Sequence, residues 1–577
     1  MEKHEHPKLN QFFATAISGN DILSSALYVS GIAAIYAGIY APVILIIIGV
    51  VLYLYKSVYT EVVEALPVNG GAYNCLLNGT SKTFAAVAGV MTILSYVATS
   101  VLSGKVGVEY LNTIFHVPVI PLTIALLFAF ALLVISGLKD SAKVALGIFG
   151  MHIFVLTSFL VMGLLYYLNG HSNFMDNFKH TADIVTRQGG LIQTIYLAFS
   201  ASLLGVSGFE SSANFVEEQQ KGVFRKTLRN MLIAVVIFNP LISLVTLNTM
   251  PINEIAASKD FLLADAAKIL GGTWFQYLVV IDAFLVLWGA VLTSFVGVSG
   301  LIYRMSADAC LPAFFTKMNS KGSFPRIIIA FFLLCSSILI ITKGDLLSLA
   351  GVYTIAFLGV MSSFAFGNLI LKETRTELKR TYHAPVVFVV LAFLATFFGI
   401  FGNIRLDVNN LRFFELYFIP TMVLVIGIIY QDYILRFALR ATKNIPQVHN
   451  WLLKKFRDLA DGKFLVFVHH PSRLYQILDY INRNETGWDI TLVNCQSTEN
   501  GNKYYDELKT LLPAMQKAGA FPHFQLHLVY KDRPFNEDMV EEMSKEFGIR
   551  KNRIFMGSIH HFHNFEYDEL GGVRIIF

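Results

Sequence analysis

The sequence predicts an all-α membrane protein, a 5+5 inverted repeat with 12 transmembrane helices, followed by a small C-terminal cytoplasmic α/β domain. Three observations carry this. The chain has 577 residues, 55% of them hydrophobic and 15% charged, with a mean hydropathy of +0.56, whereas an ordinary soluble protein is about 25% charged. Apolar runs interrupted by small polar residues occur at matching places in the two halves, at Ser18-Gly19-Asn20-Asp21 and at Gly205-Val206-Ser207-Gly208-Phe209-Glu210. From about Gly462 the long apolar runs give way to short strands alternating with helices.

Runs of about 20 apolar residues bounded by Pro, Gly and charge have centres near Ser25, Leu52, Tyr96, Phe128, Thr157, Leu204, Ile237, Val291, Phe332, Phe357, Phe393 and Val425. The first follows a short polar start with no small-residue cleavage site, so no removed signal peptide is expected. Lys139 and Lys143, then Lys221, Arg225, Lys226 and Arg229, then Arg304, Lys317, Lys321 and Arg326, and finally Lys372, Arg375, Lys379 and Arg380 fall in alternate loops. By the positive-inside rule those loops and both termini are cytoplasmic in a plasma (inner) membrane. Much of the positive excess behind the net charge of +5 is thereby needed to orient helices, which argues against a nucleic-acid partner.

Each group of five spans opens with one of the interrupted helices. An odd number of spans per group makes the second enter the membrane in the opposite sense, which is an inverted repeat with its binding site at the breaks. Broken helices leave backbone groups without partners, and these are tolerated where a cavity, an ion or a substrate supplies them. Gly19, Gly205 and Gly208 are the glycines expected to permit the breaks.

In the tail, Phe464–Val468, Asp489–Asn494 and Phe524–Tyr530 read as strands, with helical patterns at Pro471–Asn484, Tyr504–Lys517 and Asn536–Phe547. The expected domains are residues 1–437 in the membrane, a linker over 438–461, and a cytoplasmic domain over 462–577. Cys75, Cys310, Cys335 and Cys495 lack metal or disulfide spacing and are expected to be free thiols. The tail histidines His469, His470, His560, His561 and His563 have no metal-ligand spacing, and no nucleophile–base pair, Walker loop or HExxH appears, so hydrolysis is not expected.

Asn20-Asp-Ile-Leu-Ser-Ser-Ala-Leu-Tyr-Val29 resembles the first-helix signature of KUP-type potassium-uptake permeases, and more strongly that of the KimA-type potassium/proton importers. Both groups belong to the amino acid–polyamine–cation (APC) superfamily with the LeuT-like fold, and the KimA-type proteins end in a domain similar to universal stress proteins. Pro67-Val-Asn-Gly-Gly-Ala-Tyr73 and Tyr303–Phe315 are similar to patterns shared with amino-acid permeases of the same superfamily. The resemblance implies a secondary transporter importing K⁺ with H⁺, and a homodimer made through the cytoplasmic domain.

Asp21 and Tyr28 are seven apart, so on a helix they share one face. A bare charge at a membrane helix centre costs on the order of 3 kcal/mol, so Asp21 either caps the broken helix or faces a transport cavity. The resemblance makes Asp21 and Tyr28 ion ligands, with Thr99, Ser103 and Ser207 as hydroxyl ligands. Ser95, Thr99 and Ser103 recur every four residues and form a hydroxyl stripe, which serves either an ion or close helix packing. The KimA-type pattern has an acid where this chain has Ser95, and its tenth-span tyrosine has no clear match here, Tyr353 lying only nearby. Glu210 matches an acid implied to carry the coupled proton, or else pairs with a backbone amide. His152, in Ile148-Phe-Gly-Met-His-Ile153, lies at a position that resembles the one where sodium-independent amino-acid permeases have a lysine beside the first break. It is read either as a second proton-coupling group or as a structural buried histidine. Lys105 and Glu109, four apart, are expected to neutralise each other.

Met556-Gly-Ser558 and Leu570-Gly-Gly572 resemble the glycine positions of the stress-protein nucleotide site, although His560–His563 does not fit its phosphate loop. A regulatory nucleotide is therefore a weaker expectation for the tail than a dimerisation role. No other cofactor is expected. Two further readings are a proton-coupled amino-acid or polyamine permease, and a membrane transceptor whose tail signals. Asp21 at the first break argues against an anionic substrate group there, since like charges about 4 Å apart cost on the order of 4 kcal/mol at an effective dielectric near 20.

Overall fold

The computed structural model describes residues 8–137, 142–376, 378, 380–460, 462–485, 487–495, 503–549, 551–557 and 573–576. The chain divides into two compact units. The first holds residues 1–79, 85–303 and 314–422; the second holds Val423–Phe577 together with two short segments, Thr80–Phe84 and Arg304–Ala313.

The helices, in order, are α1 (Gln11–Ser24), α2 (Ala26–Ala37), α3 (Ala41–Ala65), α4 (Gly71–Gly79), α5 (Lys82–Phe115), α6 (Val119–Ile135), α7 (Ala142–Leu168), α8 (Phe174–Arg187), α9 (Leu191–Ser202), α10 (Val223–Thr249), α11 (Ile252–Ala257) and α12 (Leu262–Ala307). They continue with α13 (Pro325–Ile341), α14 (Leu346–Thr374), α15 (Val386–Leu406), α16 (Val408–Ile429), α17 (Gln431–Ala441), α18 (Pro446–Ala460), α19 (Leu474–Asn484), α20 (Lys503–Lys517) and α21 (Glu537–Glu546). Among the described residues, eight helical stretches are long and apolar enough to cross a membrane, and nine if α8 and α9 with its extension, bent by 97°, form one broken span. The first of the eight runs from Gln11 to Ala65, and α6 and α13 are shorter apolar helices outside that count. Every span centre read from the sequence falls in one of these helices or, at Ser25 and Leu204, at an interruption.

The second interruption is where the sequence places it. After α9 the chain makes a short 3-10 turn over Leu203–Val206, Ser207 is extended, Gly208 takes φ +89°, and a second 3-10 turn covers Glu210–Asn214. The first is displaced. Ser18, Gly19, Asn20 and Asp21 are helical, and the break falls at Ser25, where the Ser25 amide reaches Ile22 O at 3.4 Å. Gly19 is therefore not a break residue: its bare Cα is filled by the Phe149 ring of α7, which would collide with any Cβ. Asp21 consequently lies inside α1, which removes the reading of it as a helix cap.

In the first unit α1 packs against α7 and α10, α2 against α9 and α10, and α14 against α15 and α4. This brings the two interrupted helices side by side.

In the second unit five parallel strands, β1 (Lys463–Phe467), β2 (Asp489–Cys495), β3 (Gln525–Lys531), β4 (Ile554–Gly557) and β5 (Arg574–Ile576), form a sheet in the order β3-β2-β1-β4-β5. The first three lie within a residue of the apolar runs read as strands; the two short ones at the end carry too few residues to show a period. Phe464, Val466, Ile490, Leu492 and Phe555 of the sheet bury the apolar face of α19, Leu474, Ile477, Leu478 and Ile481. An alternating ion set joins the three pieces of this unit: Lys82 Nζ to Glu485 at 2.6 Å, Glu485 to Arg574 at 2.6 Å, and Arg574 to Asp308 at 2.8 Å. Burial pushes the Glu485 carboxyl up, but the Arg574 and Lys82 cations outweigh it and hold the group below the ordinary carboxylate range. Lys139, Lys379, Ser558, His560, His561, His563 and Leu570–Gly572 lie outside the described residues.

Candidate functional site

The site is built where the two breaks meet. Gly208 presses so closely on α1 that a Cβ there would lie 2.9 Å from the Asp21 carboxyl carbon and 2.9 Å from the Ile22 nitrogen. Only glycine satisfies both that approach and the positive φ. Gly205 plays a similar part against α2, where an added Cβ would meet Val29 Cγ2 at 2.9 Å. The carbonyl of Gly205, released from helical pairing, accepts from Ser25 Oγ at 3.2 Å and from Asn239 Nδ2 of α10 at 3.2 Å. Ser25 Oγ also donates to Ile22 O at 2.7 Å, and Ser24 Oγ to Asp21 O at 2.6 Å. Side-chain hydroxyls thus supplement the backbone pairing of Asp21 O, Ile22 O and Gly205 O where the two interruptions meet.

Around Asp21 the side chains supply oxygen. The Ser207 hydroxyl lies within reach of both the Tyr28 and Tyr353 phenols. Tyr353, on α14, and Tyr28, on α2, are each 1% exposed. Glu210 Oε2 accepts from the Gly208 amide at 3.1 Å, and the Ser95 hydroxyl of α5 lies in reach of its carboxyl. Asp21 and Glu210 lie within electrostatic range of each other. Among the described residues Glu210 has no cationic partner. Glu210, a buried carboxyl held by neutral donors beside a second carboxyl, is the kind of group that a proton or an ion can answer.

The structure therefore brings together Asp21, Tyr28, Ser207, Glu210, Gly205 and Gly208. Ser95, which departs from the importer pattern, is in the group after all, through Glu210. Thr99 and Ser103 are buried further along α5, where Thr99 Oγ1 donates to Ser95 O at 2.9 Å; neither bonds a break residue among the described contacts. Tyr353 was legible only as a nearby residue, because its contact spans from α14 to the second break. Asp282 was missed altogether. It is fully buried on α12, and its Oδ2 lies 2.7 Å from His152 Nδ1, while His152 Nε2 lies 3.3 Å from Leu23 O. His152 is thus not a lone histidine. With Nε2–H donating to the Leu23 carbonyl and Nδ1 facing the Asp282 carboxylate, the pair holds α1 two residues from Asp21. The signal that could have found Asp282 was the one that found Asp21, a solitary acid in the apolar run Val279-Val-Ile-Asp-Ala-Phe284. Lys105 pairs with Glu109 at 3.1 Å as expected, and also with Asp260.

Residues 9–429 match the family described as "Amino acid permease". The chain belongs to that family, within the APC superfamily. Among curated relatives, this permease-family chain is 24% identical over 349 residues to the potassium transporter KimA of Bacillus subtilis, the aligned part covering 58% of this chain and 57% of that transporter. It thus spans less than two thirds of that relative. It is 21% identical over 442 residues to the branched-chain amino acid permease BcaP of the same organism, covering 71% of this chain and 91% of the permease. Among solved structures, a mutant of the Eremococcus coleocola manganese transporter aligns with a TM-score of 0.49 at 10% identity, over 78% of this chain and 95% of that one.

Proposed function

We propose that this permease-family member is a secondary transporter that imports K⁺ with H⁺ by alternating access. The observation that carries the reading is the Asp21 carboxyl held against Gly208, with the Ser207 hydroxyl shared by Tyr28 and Tyr353 beside it. Asp21, Tyr28 and Ser207 supply an anionic, a phenolic and a hydroxyl oxygen to a dehydrated cation, and Thr99 and Ser103 extend the oxygen lining along α5. Glu210, bonded only by neutral donors, carries the coupled proton, and the His152–Asp282 pair fixes the first break. The likeness to a potassium transporter over 349 residues supports this choice of substrate.

The framework is a LeuT-like bundle of 12 spans with the 5+5 repeat, in the plasma membrane with both termini cytoplasmic. The C-terminal α/β unit serves as a homodimer contact, with a nucleotide as the weaker role. A second reading, a proton-coupled permease for amino acids, is favoured by the match to BcaP over 91% of its length. It requires Asp21 to be protonated when a substrate carboxylate arrives at the break. Growth of a potassium-uptake-deficient bacterial strain at low K⁺ separates the two. The wild-type chain is expected to restore growth and Asp21→Asn to fail, both at equal expression; no rescue by expressed wild type overturns the K⁺ assignment.

A further inference from the structure

The last apolar helix, α16, does not end the apolar surface. Val423 and Leu424 near its end are exposed, as membrane-facing side chains are, and α17 begins after a single intervening residue, Tyr430. At 100° per residue, Tyr433, Ile434 and Phe437 fall on one narrow face of α17. That face is bare: Phe437 is 74% exposed, Tyr433 66% and Ile434 52%. Arg436 and Arg440 border it on one edge, and Lys443 follows just beyond the helix end. Arg436 has Asp432 at 3.9 Å, whereas Arg440 and Lys443 have no carboxylate partner among the described residues.

We propose that α17 is an interfacial helix that lies in the headgroup layer and binds anionic phospholipid. Chain reach places its start there: one residue after a membrane span, α17 begins within a few ångströms of the bilayer edge. Its bare face carries a tyrosine, an isoleucine and a phenylalanine for the acyl boundary, and the arginines beside it reach phosphate through long apolar stems. Cations without a local carboxylate next to a membrane span match an anionic lipid surface. Lipid answers both features at once, phosphate the cations and acyl chain the apolar face, so lipid is the occupant.

The four native cysteines are buried, so a single exposed cysteine can be labelled in the full-length protein. Phe437→Cys, with Tyr433→Cys as the second position and the exposed Lys509→Cys as a reference, is labelled with a fluorophore and reconstituted in phosphatidylcholine vesicles with or without phosphatidylglycerol. Brominated acyl chains are expected to quench the label at 437 or 433 about threefold more than at 509, aqueous iodide to do the reverse, and the joint change Arg436→Glu with Arg440→Glu to remove the difference in phosphatidylglycerol vesicles. Equal iodide access at 437, 433 and 509 overturns the proposal. So does protection that disappears when the protein is diluted among vesicles to one copy each, which identifies a second copy as the occupant.

Discussion

Glu61 and Glu210 are both sealed inside the helical unit, and their surroundings are opposite. Glu61, on α3, is wholly buried and receives Lys372 Nζ at 2.7 Å, Arg380 at 3.0 Å, the Ala384 amide at 3.0 Å and Asn368 Nδ2 at 3.3 Å. Glu210 accepts the Gly208 amide at 3.1 Å, with its own amide and the Ser95 hydroxyl in reach and no cation among the described residues. A carboxylate tied to two fixed cations is a strut, holding α3, α14 and the loop after α14 in one arrangement. A carboxyl held by neutral donors keeps its demand for positive charge open, so that a mobile proton or ion can answer it. The difference lies in the partners and could not be told from burial alone.

The largest effect is expected at the strut. Glu61→Gln leaves the half-buried Lys372 and Arg380 without their buried anion and is expected to cost about 3 kcal/mol, read as a lower unfolding temperature and poor recovery of the detergent-solubilised protein. Glu210→Gln keeps an acceptor for the Gly208 amide, so its stability should stay within about 1 kcal/mol of wild type while proton-coupled transport falls at least about tenfold. Equal loss of stability in both variants would erase the distinction between them.

A smaller effect is expected beside Glu210. Tyr353→Phe removes one of the two phenols on Ser207, and a loss of about 1 kcal/mol, hence a rise of severalfold in the substrate KM at unchanged folding, is expected from uptake kinetics. An unchanged KM would take Tyr353 out of the site. The smallest effect concerns a second strut, Glu485 in the α/β unit. Its carboxyl is depressed by Arg574 and Lys82, so its contribution is complete above the ordinary glutamate pKa of about 4.3 and is lost as pH falls through the lower folded value. Acid unfolding of the full-length protein should therefore show a step below about pH 4.3 that Glu485→Gln flattens.

Much of this organisation was legible from local chemistry. Long apolar runs report helices, and the change to short strands after Gly462 reports a different unit. The second break was legible because Gly208 needs both a positive φ and a close approach, which glycine alone supplies. The first was misplaced by four residues or more because Gly19 is small for another reason, the Phe149 ring, and small size alone does not distinguish packing from unwinding. Ser95 with Glu210, Tyr353 with Ser207 and His152 with Asp282 were illegible because each pair joins helices far apart in sequence, and no local period records which faces meet.

Asp21, pressed against the glycine of the second break, is the group proposed to receive a cation. Rubidium uptake, as a potassium tracer, into vesicles holding the purified full-length protein tests this most directly, with Asp21→Asn compared at matched folding and incorporation. The expected result is wild-type accumulation under an inward proton gradient and uptake at least about tenfold slower in the variant. Wild-type uptake of branched-chain amino acids without rubidium, or rubidium uptake by Asp21→Asn at the wild-type rate, would contradict it.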